Sequence, residues 1–233
     1  MALAVTADGG RAAHRALAVR RVFLGRSVQG RPIRALVLGD PAAPITALVV
    51  GNVHGDEPGG FAVVRLLRHW RPPAGVAVWV VRSFNPDGTA AHTRQNAHGV
   101  DLNRNFPFHW HPLGPPGSRY YAGPRPLSEP ESRIEHSLIL RIKPRVSIWF
   151  HQPYDVTDQS GGDVRIERRF ARLSGLPMRR LPRYPGSITS WQDFRVRTGT
   201  AFVAELPAGP PSGAAAARYA RAVEALVTQL AAG

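Results

Sequence analysis

Cysteine is absent from the 233 residues, so neither disulfides nor thiolates contribute, and any metal must be held by His, Asp and Glu. Lysine is almost missing as well: of 30 basic residues, all but Lys143 are arginine. Acids are scarce, at 16, which leaves a formal charge of +14. Such a field attracts nucleic acid, anionic lipid or acidic small substrates. The arginines are dispersed, however, in nothing longer than pairs such as Arg20-Arg21, Arg168-Arg169 and Arg179-Arg180. Without interleaved aromatics or a recognised motif, a nucleic-acid-binding module is the weaker reading; a GC-rich genome explains the Arg, Ala, Gly and Pro equally well. No run of eighteen apolar residues occurs, which argues against a transmembrane helix. The N-terminal "MALAVTADGGRAAHRALAVRR" lacks a charged region followed by an uninterrupted apolar core. A cytoplasmic protein, with no nucleic acid and no membrane as partner, is the expectation.

What is present is enough apolar material, 43% of the chain, for one sizeable core. There is no internal repeat and no low-complexity linker. Strand and helix patterns alternate, which predicts an α/β domain with a largely buried sheet. Apolar runs at 19–24, 33–38, 45–50 and 76–81 read as strands, and "PGGFAVVRLLRHW" (58–70) as a helix with Phe61, Val64, Leu67 and Arg68 on one face. A polar stretch from 84 to 127, dense in Asn, Gly, Pro and His, is long enough to line a site or to be disordered. "SEPE" (128–131) has the form of a capping box opening a helix that runs to about Lys143. "RVSIWF" (145–150) and "TAFVAEL" (200–206) read as further strands, and the tail as an amphipathic helix.

Three of these strands lead to His54, His151 and Glu205, and in open α/β sheets ligands bind at the carboxyl ends of strands. Two imidazoles and one carboxylate with a position left open make a catalytic zinc site. His54 and Glu57 are close enough in "HGDE" to reach one ion, and His151 is a natural third ligand. A turn histidine and a hydrogen-bonded strand-end histidine are the competing readings. Asn52 and Asp56 read as turn residues, and His92, His98, His109 and His111 as loop histidines.

The wider context weighs more. "GRSVQGRPI" (25–33), "HGDE", "SFNPDG" (83–88), "TRQNAHGVDLNRNFP" (93–107), "YYAGPRPLSEPESRI" (120–134) and "FVAELP" (202–207) occur in that order. This series resembles the zinc carboxypeptidase family, the metallocarboxypeptidases of the carboxypeptidase A type, from about Phe23 to Pro207. The compact length, "GVDLNRNFP" and "AELP" look most like the bacterial murein peptide amidases.

The resemblance implies a single catalytic domain over 1–233, with 1–18 disordered or loosely packed. Its fold would be carboxypeptidase-like (phosphorylase/hydrolase-like), a mixed sheet of seven or eight strands flanked by helices. It implies one Zn2+ per chain on His54, Glu57 and His151, with Glu205 as general base and Arg94 stabilising the oxyanion. Asn103 and Arg104 would hold the substrate's free carboxylate, and Asp101 would orient the His54 ring. Tyr184 is the one candidate for the tyrosine that caps bound substrate in larger members, although its spacing to the following Gly and Trp differs. Arg183 and Thr189 are unranked specificity contacts. The implied reaction is hydrolysis of an amide bond beside a free carboxylate, in murein peptides the γ-D-glutamyl–diaminopimelate bond. A general metallocarboxypeptidase is the first alternative. The second is an N-acyl amino acid deacylase of the aspartoacylase and succinylglutamate desuccinylase type, so the partner is a small peptide or acyl amino acid.

Overall fold

Runs such as "VAVWVV" and "VSIWFH" have no polar side to turn toward water, so they are stable only where both faces are covered. The computed structural model, which describes residues 19–232, puts them in the middle of an eight-stranded sheet. The strands are β1 (Arg20–Arg26), β2 (Pro32–Gly39), β3 (Ile45–Val50), β4 (Val76–Val81), β5 (Val146–His151), β6 (Tyr154–Asp158), β7 (Met178–Arg179) and β8 (Thr200–Pro207). Their order across the sheet is β1-β2-β4-β3-β5-β8-β6-β7. The β4-β3-β5-β8 centre is parallel, β1, β2 and β6 join it through antiparallel pairings, and β7 runs parallel to β6. This is the mixed α/β sheet expected from the sequence. The expectation for residues 1–18 lies outside the described residues.

Helices cover both faces. Helices α1 (Gly60–Leu67), α4 (Val164–Ser174) and α6 (Gly213–Ala231) bury Leu67, Phe170, Tyr219 and Val223 against Val49, Val78, Ile148 and Phe202. On the other face α3 (Pro130–Ile142) and α5 (Ile188–Arg195) bury Leu138, Ile139 and Trp191 with Leu48, Trp79 and Trp149. A short helix, α2 (Pro86–Ala91), and a 3-10 turn at Leu102–Arg104 lie within the polar stretch, which is ordered rather than loose.

Two local expectations are corrected. Helix α1 is shorter than 58–70 and turns Gly60, Val63, Val64 and Leu67 inward, leaving Arg68 exposed. Gly60 lies so close to the end of β3 that a Cβ there would meet the Gly51 carbonyl oxygen at 2.1 Å. The capping box does not form: Glu129 occupies the cap position with no side-chain bond to the helix's own amides, and Pro130 starts the helix. Glu131 instead accepts from the Val28 amide at 3.0 Å and from Asn96 at 3.0 Å, tying α3 to the loop after β1.

Chain direction explains where a site can form. From β3 the connection through α1 leads to β4 on one side, while β5 pairs with β3 on the other. The loops leaving β3 and β5 diverge and open a crevice at their carboxyl ends. Phe202, on β8 and packed at 5.1 Å and a 52° tilt against Phe170, holds this part of the sheet to α4. Truncation to Phe202→Ala is expected to cost about 3–5 kcal/mol, read as a lower urea midpoint with an unchanged slope.

Candidate metal centre

The turn after β3 is shaped from inside. The buried Asn52 amide donates to the His54 carbonyl and, at 3.1 Å, to the Glu57 carbonyl, while its oxygen accepts from Ser83 at 2.8 Å. Gly55 presses on α2, and a Cβ there would sit 1.9 Å from the Gly88 carbonyl carbon. Asn85 in turn accepts from the Gly88 amide at 2.8 Å and donates to the Arg94 carbonyl at 3.2 Å. "HGDE" and "NPDG" are therefore one interlocked unit that also sets Arg94. Asn52 is more than the turn residue expected, and Asp56 is exposed in the turn. Among the loop histidines, His98 hydrogen-bonds the Glu129 carboxylate at 2.7 Å.

His54, Glu57 and His151 converge at the crevice. Their donor atoms lie within 4.8 Å of one another, and all three residues are buried. His54 Nδ1 is 3.0 Å from Glu57 Oε1, His151 Nδ1 is 2.9 Å from Glu57 Oε2, and the two imidazole nitrogens are 3.1 Å apart. The other nitrogen of His54, Nε2, faces Asp101 Oδ1 at 3.1 Å. With Asp101 ionised, Nε2 carries the proton and Nδ1 turns its lone pair inward. Two inward imidazole nitrogens and a carboxylate form the donor set of a catalytic zinc site, so these residues fit a single zinc ion.

Asp101 has no exposure and joins several parts. Its Oδ2 accepts from Arg94 Nε at 2.9 Å, and its Oδ1 also accepts from the Asn103 amide at 3.0 Å. Burial pushes its carboxyl up, yet His54 and the Arg94 guanidinium outweigh that and hold it far below the carboxylate range. Burial likewise raises Glu57, but His54 and His151 outweigh it and keep Glu57 ionised well below its usual value. Arg94 Nη1 reaches Glu57 Oε1 at 3.1 Å.

Glu205 behaves differently. It lies on β8 opposite His151 in the parallel ladder, and its Oε2 is buried without a partner. Burial, with the negative Glu57 nearby, pushes its carboxyl up to about 7. Arg104 is 5% exposed, has no carboxylate within ion-pair distance among the described residues, and leaves its Nε buried without a partner. Burial lowers its pKa, and its guanidinium lies 4.2 Å from the centre of the Tyr184 ring. Asn103 uses its side-chain oxygen to accept from the Ile188 amide at 3.0 Å. Tyr184 is 47% exposed at the rim. All the sequence-nominated residues except Asp101, which lies behind His54, line one cavity of about 320 Å³.

The family profile described as zinc carboxypeptidase matches residues 74–157. Murein peptide amidase A of Escherichia coli (strain K12) is 31% identical over 181 residues, covering 72% of this chain and 74% of the relative. The chain belongs to the zinc carboxypeptidase family. The crystal structure of a murein-tripeptide amidase from Escherichia coli O157 superposes with a TM-score of 0.72 at 28% identity, over 96% of this chain and 98% of that one. A carboxypeptidase A from Helicoverpa armigera shares the fold, with a TM-score of 0.76 at 17% identity, over 92% of this chain and 70% of that one. As a zinc carboxypeptidase the chain is a zinc-dependent hydrolase, and no helix among the described residues is long and apolar enough to cross a membrane.

Sequence reasoning did not find Asn52 or Gln152 as organisers of the site. Gln152 donates its backbone N–H to Glu57 Oε2 at 3.2 Å and its side-chain amide to the Pro207 and Gly209 carbonyls at 2.6 Å each. "FHQP" directly after a strand was the only signal available. The geometry predicts one zinc per chain by elemental analysis and its loss in His54→Ala with far-UV dichroism retained. Asp101→Asn is expected to weaken zinc roughly 10- to 100-fold against a competing chelator.

Proposed function

We propose that this zinc carboxypeptidase cleaves murein peptides at the γ-D-glutamyl–diaminopimelate bond, with His54, Glu57 and His151 as zinc ligands. The observation that carries the reading is a pairing within one cavity. The donor trio and Glu205, a buried carboxylate with its Oε2 unpartnered, share it with a buried guanidinium, Arg104, that has no acid of its own. A buried guanidinium is stabilised by a charge partner, and a substrate carboxylate supplies one in the bidentate geometry that arginine matches. The relatives named as murein peptide amidases support this substrate over other acyl amino acids.

Zinc, when bound, supplies Lewis acidity and lowers the pKa of water at its open position to roughly 7. Glu205 takes a proton from the attacking water at its free Oε2 and delivers it to the leaving nitrogen, for which its raised proton affinity suits it. Arg94, held through Nε by Asp101 and through Nη1 by Glu57, sets its guanidinium beside the metal position, where it meets the oxygen that gains negative charge. Arg104 and the Asn103 amide hold the carboxylate of the leaving residue. Tyr184, over the Arg104 guanidinium, closes the rim above it and keeps water from the ion pair. Asp101 keeps the His54 Nδ1 lone pair directed inward.

Purified, zinc-loaded protein is expected to release diaminopimelate from murein tripeptide, with activity lost to chelator. Glu205→Gln should retain zinc and lose roughly 10²- to 10⁴-fold in kcat. Turnover of an ordinary C-terminal dipeptide alone would replace the murein substrate with a general carboxypeptidase activity. Turnover of acyl amino acids alone would indicate a deacylase.

A further inference from the structure

The cavity continues beyond Glu205 along β8. Val203 lies two residues before Glu205 on the same strand face, so the wall extends roughly 7 Å further in. The β6–β8 ladder pairs Val156 with Glu205 and Thr157 with Ala204. One more step in that register sets Asp158 beside Val203, and both line the cavity. Arg183, from the segment just before Tyr184, lines the same end.

These two opposite charges stand side by side without being fully spent on each other. Arg183 Nη1 is 3.8 Å from Asp158 Oδ2, beyond hydrogen-bond reach, with side-chain exposures of 32% and 9%. Asp158 accepts from the Leu181 amide at 2.8 Å on Oδ1 and from Ser160 Oγ at 2.9 Å on Oδ2. Arg183 donates from Nη2 to the Gln159 carbonyl at 2.5 Å, and Nη1 makes no hydrogen bond. An ordinary surface ion pair would be exposed and self-contained; this one is fixed by the backbone and has donor capacity turned into a cavity.

We infer that Arg183 and Asp158 form a selectivity subsite for a leaving residue whose side chain ends in an amino acid group, its carboxylate on Arg183 and its ammonium against Asp158. The inference rests on the proposed hydrolysis in this cavity. With Arg104 reserved for the carboxylate beside the scissile bond, the pocket is complementary to a diamino dicarboxylic acid. Lysine, identical except for the missing distal carboxylate, would leave Arg183 without its partner.

The test compares two tripeptides that differ only in ending with diaminopimelate or lysine, on zinc-loaded wild type, Arg183→Gln and Asp158→Asn. Wild type should favour diaminopimelate by roughly 10- to 100-fold in kcat/KM, the worth of a charge-assisted contact. Arg183→Gln should bring the ratio to within a few-fold of one, chiefly by slowing the diaminopimelate peptide. Asp158→Asn should slow both peptides together and leave the ratio largely in place, since both carry the distal ammonium, while asparagine can still accept from the Leu181 amide and keep the wall intact. Calorimetric binding of free diaminopimelate and free lysine supplies a readout independent of turnover, with the same change of preference expected. A ratio near one in wild type, or a ratio untouched by Arg183→Gln while both substrates slow equally, would mean that the pair only braces the Tyr184 segment, and would overturn the inference alone. Cleavage of neither peptide would sink the proposed function and the subsite together.

Discussion

The contact of Asp101 with His54 and Arg94 organises everything around it. One buried carboxylate fixes the tautomer of His54, holds Arg94 by its Nε and caps the turn that carries Asn103 and Arg104. The metal ligation, charge stabilisation and substrate anchoring proposed for this site thus meet on two oxygen atoms. A carboxylate so deeply buried is tolerated only because His54, Arg94 and the Asn103 amide all donate to it and Arg94 brings the opposite charge. Removing one of them would leave the rest uncompensated, so these residues behave as a unit.

Around that unit the protein keeps unfavourable groups that a purely structural core would shed. Glu205 remains buried with a free oxygen and a proton affinity raised to about 7, and Arg104 is buried without an acid. Each is costly in the absence of a ligand. Both sit on elements secured elsewhere: Glu205 on a strand packed between helices on both faces, and Arg104 on a turn pinned to α5 through Asn103. The stability of the sheet offsets the strain of the pocket.

Much of this was legible in the sequence, for definite reasons. The central strands read correctly, β3 and β4 to the residue, because full burial leaves an apolar run with no other explanation. His54, His151 and Glu205 stood out because such runs lead to them and Glu57 by its spacing to His54, while the ordered motifs resembling the zinc carboxypeptidases implied their roles. Other elements were hidden. The strand β6 reads YDVTD, with its polar groups turned to the cavity and to Ser160 and Leu181, so function masks its pattern. The helices α2 and α5, of six and eight residues, carry too few turns for a periodic signal. "SEPE" matched a capping box in letters, but its Glu131 is committed to a partner more than a hundred residues away, which no local rule registers. Asn52 looked like a turn residue because its work is done on carbonyl groups, and those leave no trace in a sequence.

The glycine contact beneath the metal turn has an implication for engineering. Because Gly55 and Gly88 touch through their backbones, the segments that carry them cannot be exchanged separately with those of a larger relative. A graft that imports one without the other would lift the ligand turn off its seat. The exposed reach from Gly114 to Gly117, by contrast, makes few such commitments, and is the place where new loop sequence can be spliced without disturbing the chemistry.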